Sequence, residues 1–411
     1  MHRMLALLWG TALWAGCGAP APAPAALRSG PARVRPGIEV LLSDSIALVR
    51  GRRVGLVTNQ SGIDAAGRGD VELLRDAGIN LVALFSPEHG FRGAAEPGAV
   101  VASTIDSATG LPIYSLYGRT SAPTDSMLAG VDVMVVDLQD AGARYYTYIS
   151  TTVEVMKAST RHGIPVVVLD RPDPIGGVVQ GNVLDPAFTS FVGRLAVPMR
   201  YGMTLGELAR LADADFVIGA RLTVVPAAGW RRDMTLDEAG LPFVPPSPNL
   251  RTLESLFHYP GTCLFEGTNL SVGRGSDAPF EQIGAPWLDT AAVLSRIRAE
   301  RLPGVAFTSA VFTPHRPGDG KYADTLLAGI RLRVTDRSTY DPTVTAVHLM
   351  AAIRAVHPDR MRWSAAQFDR LAGGPTLRTA LEAGRPATEI VASWADGIRT
   401  FAARRRPFLI Y

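Results

Sequence analysis

The chain has 411 residues, 47% of them hydrophobic and 19% charged, with a formal net charge of +3. That length and apolar content allow a sizeable core and argue against global disorder. Lysine occurs only at Lys157 and Lys321, and the one run of three basic residues is Arg404-Arg405-Arg406, so a nucleic-acid partner is not expected: no basic stripe is present to neutralise a phosphate backbone.

The first segment reads as a targeting signal and not as part of the fold. Arg3 supplies a positive start, residues 4–15 are an apolar stretch too short to span a bilayer as a stable helix, and Ala15-Gly16 precede Cys17. This pattern is similar to the cleavage box of bacterial lipoproteins, which would make Cys17 the lipidated first residue of the mature protein. An ordinary secretory signal is the alternative. Both imply export, to a periplasmic-facing or cell-surface position, with an N-terminal lipid anchor as the only expected tie to a membrane. Signal and Ala/Pro-rich tether together take up residues 1–36. Cys263 is then left without a partner, so neither a disulfide framework nor a cysteine-based metal site is expected.

From Arg53 onward the chain alternates between strand and helix patterns, which predicts an α/β fold with a mainly parallel sheet. Residues 54–58 read as the first strand, ending in Asn59-Gln60-Ser61-Gly62. A helix over 69–77 stops at Gly78. Residues 81–85 form a buried strand broken by Ser86-Pro87, and 112–116 a short third strand. Residues 131–137 are a buried strand opening onto 138–148, LQDAGARYYTY. A helix over 151–162 closes at Gly163, and residues 164–169 are the next strand, ending in Asp170-Arg171-Pro172-Asp173. Thr204 and Glu207 are spaced as a capping box for a helix over 204–212, and 221–225 read as a strand. Pro245-Pro246-Ser247-Pro248-Asn249 is a rigid connection, and the domain boundary is placed beside it. Beyond it, 330–334 read as a strand and 343–356 and 364–371 as helices.

Three apolar strands therefore end in polar clusters: Glu88-His89, Gln139-Asp140 with Arg144, and Asp170-Arg171. In a parallel sheet these ends converge on one crevice. The sequence has no Gly-x-Ser-x-Gly elbow, no His-Glu-x-x-His and no P-loop. The turn after Val57 has a single glycine, Gly62, so a dinucleotide cofactor is not expected. Carboxylates, arginines and aromatics around a crevice suit glycoside hydrolysis, in which one carboxylic acid protonates the leaving oxygen and a second group assists from the other side of the sugar. Glu88 is the best acid candidate; its alternative role is capping the turn. Residues 145–148 are placed either to stack on a sugar or to pack a strand-to-helix corner. Arg144 and Arg171 are placed either to grip a ligand carboxylate or to form ion pairs with Asp140, Asp170 or Asp173. A metal site at His89 would rest on one imidazole, and none is expected.

Five stretches carry a resemblance: LVTNQSG (56–62), LFSPEHGFRG (84–93), VDLQDAGARYYTYIS (136–150), LDRPDPIGG (169–177) and FEGTNLSVGRGSDAPFEQIGAPW (265–287). They resemble the NamZ family of exo-acting β-N-acetylmuramidases, and the resemblance runs from about residue 37 to the C-terminus. It implies a Rossmann-like catalytic domain over 37–250, a smaller α+β domain over 251–411 and an active site in the cleft between them. It also implies release of N-acetylmuramic acid from the non-reducing ends of peptidoglycan fragments, with Glu88 as the catalytic glutamate and His89 beside it. Asp140 or Glu266 would be the second carboxyl group, acting as base or nucleophile, or steadying the 2-acetamido group. Arg144, Arg171 or Arg274 would pair with the lactyl carboxylate. Asn59, Arg92, Gln139, Tyr146 and Asn269 complete the expected substrate contacts. Departures are small: Leu138 and Ala141 stand where Ile and Val are usual, and Asp173 where Asn is. The competing class is a membrane-tethered protein that binds peptidoglycan fragments without turnover.

Overall fold

A computed structural model describes residues 33–411; Cys17 and nearly all of the expected signal and tether lie outside the described residues. In the first half, α1 (Gly37–Asp44) leads to β1 (Arg53–Thr58), and α2 (Asp70–Asp76) to β2 (Asn80–Ser86). β3 (Thr104–Ile105), β4 (Pro112–Ser115), α3 (Asp125–Leu128), β5 (Val133–Asp137), α4 (Tyr148–Arg161) and β6 (Val166–Leu169) follow. A hairpin of β7 (Gln180–Val183) and β8 (Pro198–Arg200) then precedes α5 (Leu205–Asp215) and β9 (Leu222–Val225).

The main sheet has the order β3-β4-β2-β1-β5-β6-β9. All its pairings are parallel except that of the edge strand β3. Every residue of β5 and β6 is buried, because helices cover both faces of the sheet. Val54, Leu56, Val133, Val135 and Val167 point into a core shared with α1 and α2. Val57, Met134, Val136, Val166 and Val168 point the other way, into a core shared with α4 and α5. This two-sided burial is why the strands read as unbroken apolar runs. From β1 the chain moves out through β2 to β4, then returns to β5 and moves out the other way. The order thus reverses between β1 and β5, the place where open α/β sheets hold ligands.

The second half begins with α6 (Leu253–Thr262), followed by β10 (Gln282–Ala285), α7 (Thr290–Ala299), β11 (Val305–Phe312) and β12 (Leu327–Val334). These three strands form an antiparallel sheet in the order β10-β12-β11. Helices α8 (Pro342–Val356), α9 (Ala365–Ala372), α10 (Thr376–Glu382), α11 (Ala387–Ala392) and α12 (Ala395–Arg405) complete the chain. The sequence pattern does not reveal α6, because Pro260 and Gly261 lie in its last turn. Both residues have tertiary roles. The Pro260 carbonyl accepts the Tyr145 hydroxyl at 2.8 Å. A β-carbon at Gly261 would lie 2.0 Å from the Pro342 carbonyl oxygen, so only glycine lets α6 approach α8 this closely.

The C-terminal segment returns to the first half. Arg404 donates to Ala196 O at 3.0 Å, and Arg405 to Tyr201 O at 2.9 Å and Gly202 O at 2.6 Å. The one basic run is therefore largely consumed by the fold. Tyr411 donates its hydroxyl to Asp170 Oδ2 at 2.9 Å and accepts from Ala227 N at 2.7 Å. None of the described helices is long and apolar enough to cross a membrane.

Candidate active site

The turn after β2 carries Glu88 and His89. His89 and Gly90 both adopt left-handed backbone, with φ of 70° and 74°, a conformation costly for a residue with a β-carbon. The His89 ring holds the turn in place, with Nδ1 2.8 Å from the Ala95 carbonyl oxygen. A carbonyl oxygen only accepts, so Nδ1 carries the proton and Nε2 is the acceptor. Burial pushes the His89 pKa below its ordinary value, which keeps the ring neutral at neutral pH. Glu88 is 7% exposed. Its Oε1 accepts from Gly98 N at 3.0 Å and its Oε2 from Thr147 Oγ1 at 2.7 Å.

Thr147 is the N-cap of α4, yet its side chain makes no cap hydrogen bond; the hydroxyl goes to Glu88 instead. The helix starts at Tyr148, not at residue 151 as the sequence pattern suggested, and no side-chain cap closes its first turn.

A second set of groups comes from the turn after α6. Arg274 Nε donates to Glu266 Oε1 at 2.6 Å, and the guanidinium lies 5.0 Å from the centre of the Phe280 ring. Arg274 Nη1 is buried and finds no hydrogen-bond acceptor among the described residues. Cys263 Sγ is 3.9 Å from Glu266 Oε2, and burial pushes its thiol well above the ordinary range, so it stays protonated. Glu88, His89, Tyr145, Tyr146, Thr147, Ser247, Tyr259, Cys263, Glu266, Arg274 and Phe280 line one cavity of roughly 100 Å³. Tyr145, Tyr146, Tyr259 and Phe280 form its aromatic lining through edge-to-face contacts. Outside this lining, the half-buried Tyr117 phenol is pushed up to about 12 by burial and then by the Glu88 charge.

The other sequence candidates fall elsewhere. Arg144 is buried, and its guanidinium donates to Asn182 O at 2.7 Å, Val197 O at 3.0 Å and Leu371 O at 2.9 Å. It faces no carboxylate among the described residues, so the ion-pair alternative does not describe it, and it is not among the residues that line the cavity. Arg171 does form an ion pair, but with Asp137 and not with Asp140, Asp170 or Asp173. Its Nε bonds Asp137 Oδ1, and its Nη2 donates to Asp137 Oδ2 at 3.0 Å and Ile63 O at 2.7 Å. Asp140 bonds the Tyr201 hydroxyl in a fully buried position, and burial pushes it up to about 6. Asn269 ties two loops together, donating to Arg360 O at 2.9 Å and accepting from Arg362 N at 2.8 Å. Arg92 is exposed, and with Asn59 it lines a separate hollow beside β1 and α2. Convergence of all three strand-end clusters on one crevice is therefore corrected: Glu88-His89 opens onto the cavity, while the other two are absorbed into buried networks.

The crevice between β1 and β5 is closed by protein. Asn59 Nδ2 donates to Tyr148 Oη at 2.6 Å, and Gln139 N to Ser61 Oγ at 3.1 Å. The hydroxyls of Tyr146 and Tyr148 both donate to Pro246 O, at 2.8 and 2.9 Å. The 245–249 connection is thus stapled over the sheet, and Ser247 of this connection lines the cavity. Sequence reasoning assigned no site role to Ser247, Tyr259 or Phe280, and Thr147 entered it only as part of the 145–148 stretch, with no link to Glu88. Thr147 and Phe280 lay inside the quoted motifs, but nothing local marks them as cavity residues.

Comparison with known proteins follows the same outline. Family models for exo-β-N-acetylmuramidase NamZ match residues 54–254 (N-terminal part) and 257–411 (C-terminal part). The chain is 44% identical over 382 residues to the peptidoglycan β-N-acetylmuramidase NamZ of Bacillus subtilis (strain 168), covering 92% of each sequence. It is also similar to two crystal structures of DUF1343-family proteins from Bacteroides fragilis NCTC 9343. One is 32% identical with a TM-score of 0.85 and the other 31% identical with a TM-score of 0.75, each match covering 92% of this chain and 99% of that one. With both halves matched in order along nearly the whole described chain, this protein belongs to the NamZ family.

Proposed function

We propose that this protein is an exo-acting β-N-acetylmuramidase that releases N-acetylmuramic acid from the non-reducing ends of peptidoglycan fragments, with Glu88 as its general acid. The observation that carries the reading is the setting of Glu88: a buried carboxyl group, oriented by Thr147 and Gly98, lining the same cavity as the Glu266–Arg274 pair. The match to the Bacillus β-N-acetylmuramidase supports the reaction class.

Glu88 gives its proton to the glycosidic oxygen as the C1–O bond breaks. Water then adds its hydroxyl to C1 and passes a proton to one of the two carboxylates. Glu266 is the second carboxyl group of this reading, because it lines the cavity whereas Asp140 is held by Tyr201. Arg274 reads the substrate. N-acetylmuramic acid differs from N-acetylglucosamine by its lactyl carboxylate, and a buried guanidinium N–H without a protein acceptor is the group that gains most from one.

The test is release of p-nitrophenol from its β-N-acetylmuramide by wild type and by Glu88→Gln. The expected result is hydrolysis by wild type and a loss on the order of a hundredfold or more in the variant, the usual scale for a lost general acid. Normal turnover in Glu88→Gln would overturn the acid assignment. Binding of the sugar without hydrolysis by wild type would replace the enzyme with a fragment-binding protein. Export and lipidation at Cys17 are part of the same proposal, and the lipoprotein-like signal supports them. Cys17→Ser should move the protein from the membrane fraction to the soluble one.

A further inference from the structure

Lys321 is one of only two lysines in the chain and lies in the 313–326 segment that joins β11 to β12. Its ammonium donates to three carbonyls of a single stretch: Phe265 O at 3.3 Å, Glu266 O at 2.9 Å and Leu270 O at 3.1 Å. An ammonium has three N–H donors, so all of them are spent on the turn that carries Glu266. Burying an ammonium is costly unless it is hydrogen-bonded, and here the partners are backbone groups that no substitution elsewhere would remove.

The same segment is tied down on either side of Lys321. The Tyr322 hydroxyl donates to Asn269 O at 2.7 Å, and His315 N donates to Gly275 O at 2.8 Å. At Gly318 a β-carbon would lie 2.6 Å from Glu96 Oε2, so the segment also touches the loop whose Ala95 and Gly98 hold His89 and Glu88. Backbone strain is concentrated here too. Among the described residues, left-handed backbone outside glycine occurs at His89 and Phe280 on the cavity wall and at Arg316, Tyr322 and Asp324 in this segment, with only Val217 and Arg301 elsewhere. Strain of this kind persists where surrounding contacts over-determine the chain, and it gathers around functional sites.

We infer that Lys321 is a positioning residue that holds the Glu266–Arg274 pair in the cavity by clamping the backbone around Glu266. This inference rests on the reading of Glu266 and Arg274 given above. Without the ammonium, the Phe265, Glu266 and Leu270 carbonyls turn towards water, Glu266 shifts, and Arg274 loses its partner.

The test uses the full chain in three forms: wild type, Lys321→Met, and Lys321→Cys before and after alkylation with 2-bromoethylamine, which restores an ammonium at nearly the original reach. kcat and KM are measured on p-nitrophenyl β-N-acetylmuramide, alongside thermal melting. The Met variant is expected to melt cooperatively with kcat/KM lowered about tenfold or more, the scale of a lost charge-assisted hydrogen-bond set. Aminoethylation of the Cys variant should recover most of that loss, with wild type treated in parallel as the control. Should the Met variant fail to fold, Lys321→Gln, which still donates but carries no charge, takes its place. Kinetic constants for Lys321→Met within about twofold of wild type would overturn the inference, as would a Cys variant fully modified at 321 yet not recovered. If Glu88→Gln and Arg274→Lys lose activity while Lys321→Met keeps it, only the Lys321 inference falls. If all three are as active as wild type, the reading of the cavity falls with it.

Discussion

The hydroxyl of Thr147 donates to Glu88 Oε2 at 2.7 Å and leaves uncapped the helix that Thr147 begins. A cap hydrogen bond contributes about 1 kcal/mol to a helix, so this fold forgoes local stability to orient one carboxyl group. Thr147→Val should lower kcat by roughly tenfold, as expected for one lost orienting hydrogen bond, with little change in melting temperature. Thr147→Ser keeps the donor and should stay close to wild type. Steady-state kinetics on the p-nitrophenyl muramide decide the point; equal kcat for the Val and Ser variants would show that the contact does not orient the acid.

In the proposed function Arg274 is the group that recognises the substrate. Its Nε pairs with Glu266 while Nη1 has no protein acceptor. Arg274→Lys keeps a positive charge against Glu266 but loses the planar fork. The expected outcome is a tenfold or greater rise in KM for the muramide, on the scale of a lost charge-assisted contact, with the corresponding glucosaminide hydrolysed as poorly as before. Unchanged discrimination would remove Arg274 from recognition.

Arg144 and Arg171 should behave in the opposite way. The guanidinium of Arg144 serves three backbone carbonyls and that of Arg171 a buried carboxylate. Breaking the buried Arg171–Asp137 pair costs roughly 3–5 kcal/mol, and each buried carbonyl that loses its Arg144 donor costs about 1–3 kcal/mol. Arg144→Ala and Arg171→Ala should therefore shift the denaturant midpoint strongly, and whatever protein remains folded should keep the wild-type preference for muramide over glucosaminide. A loss of preference without a loss of stability would contradict this placement.

Asp173 predicts a pH effect. Burial pushes its carboxyl up to about 8 from 3.8, and its Oδ2 has no hydrogen-bond partner among the described residues. Between those two values the folded chain holds a proton that the unfolded chain has released. The folded-state benefit is therefore full below about pH 4 and is lost as pH rises towards 8. Asp173→Asn removes this titration. Its melting temperature should match or trail wild type at pH 5 and exceed it at pH 9, by an amount corresponding to no more than a few kcal/mol. Scanning calorimetry at the two pH values checks the sign; an advantage that shrinks with rising pH would rule the account out.

The sequence by itself determined the inner strands of the main sheet and one end of the site. Apolar runs over 54–58, 81–85, 131–137 and 164–169 appear as β1, β2, β5 and β6, because two-sided burial writes itself directly into composition. Thr204 and Glu207 form the expected capping box, since such a box is closed within one helical turn. The place of Glu88 at a strand end, facing a cavity, was legible for the same reason: it depends on the strand before it. The remaining groups were decided by contacts across long stretches of chain. Arg144, Arg171 and Arg274 are equivalent in sequence terms, and only their neighbours make two of them structural and leave one in the cavity. Lys321 reaches Glu266 O across 55 residues, and Pro246 meets Tyr146 across 100. No local pattern encodes such meetings: a hydrogen bond between distant segments depends on how whole layers pack, and packing is settled by the core as a unit and not by the residues that happen to meet at its edge.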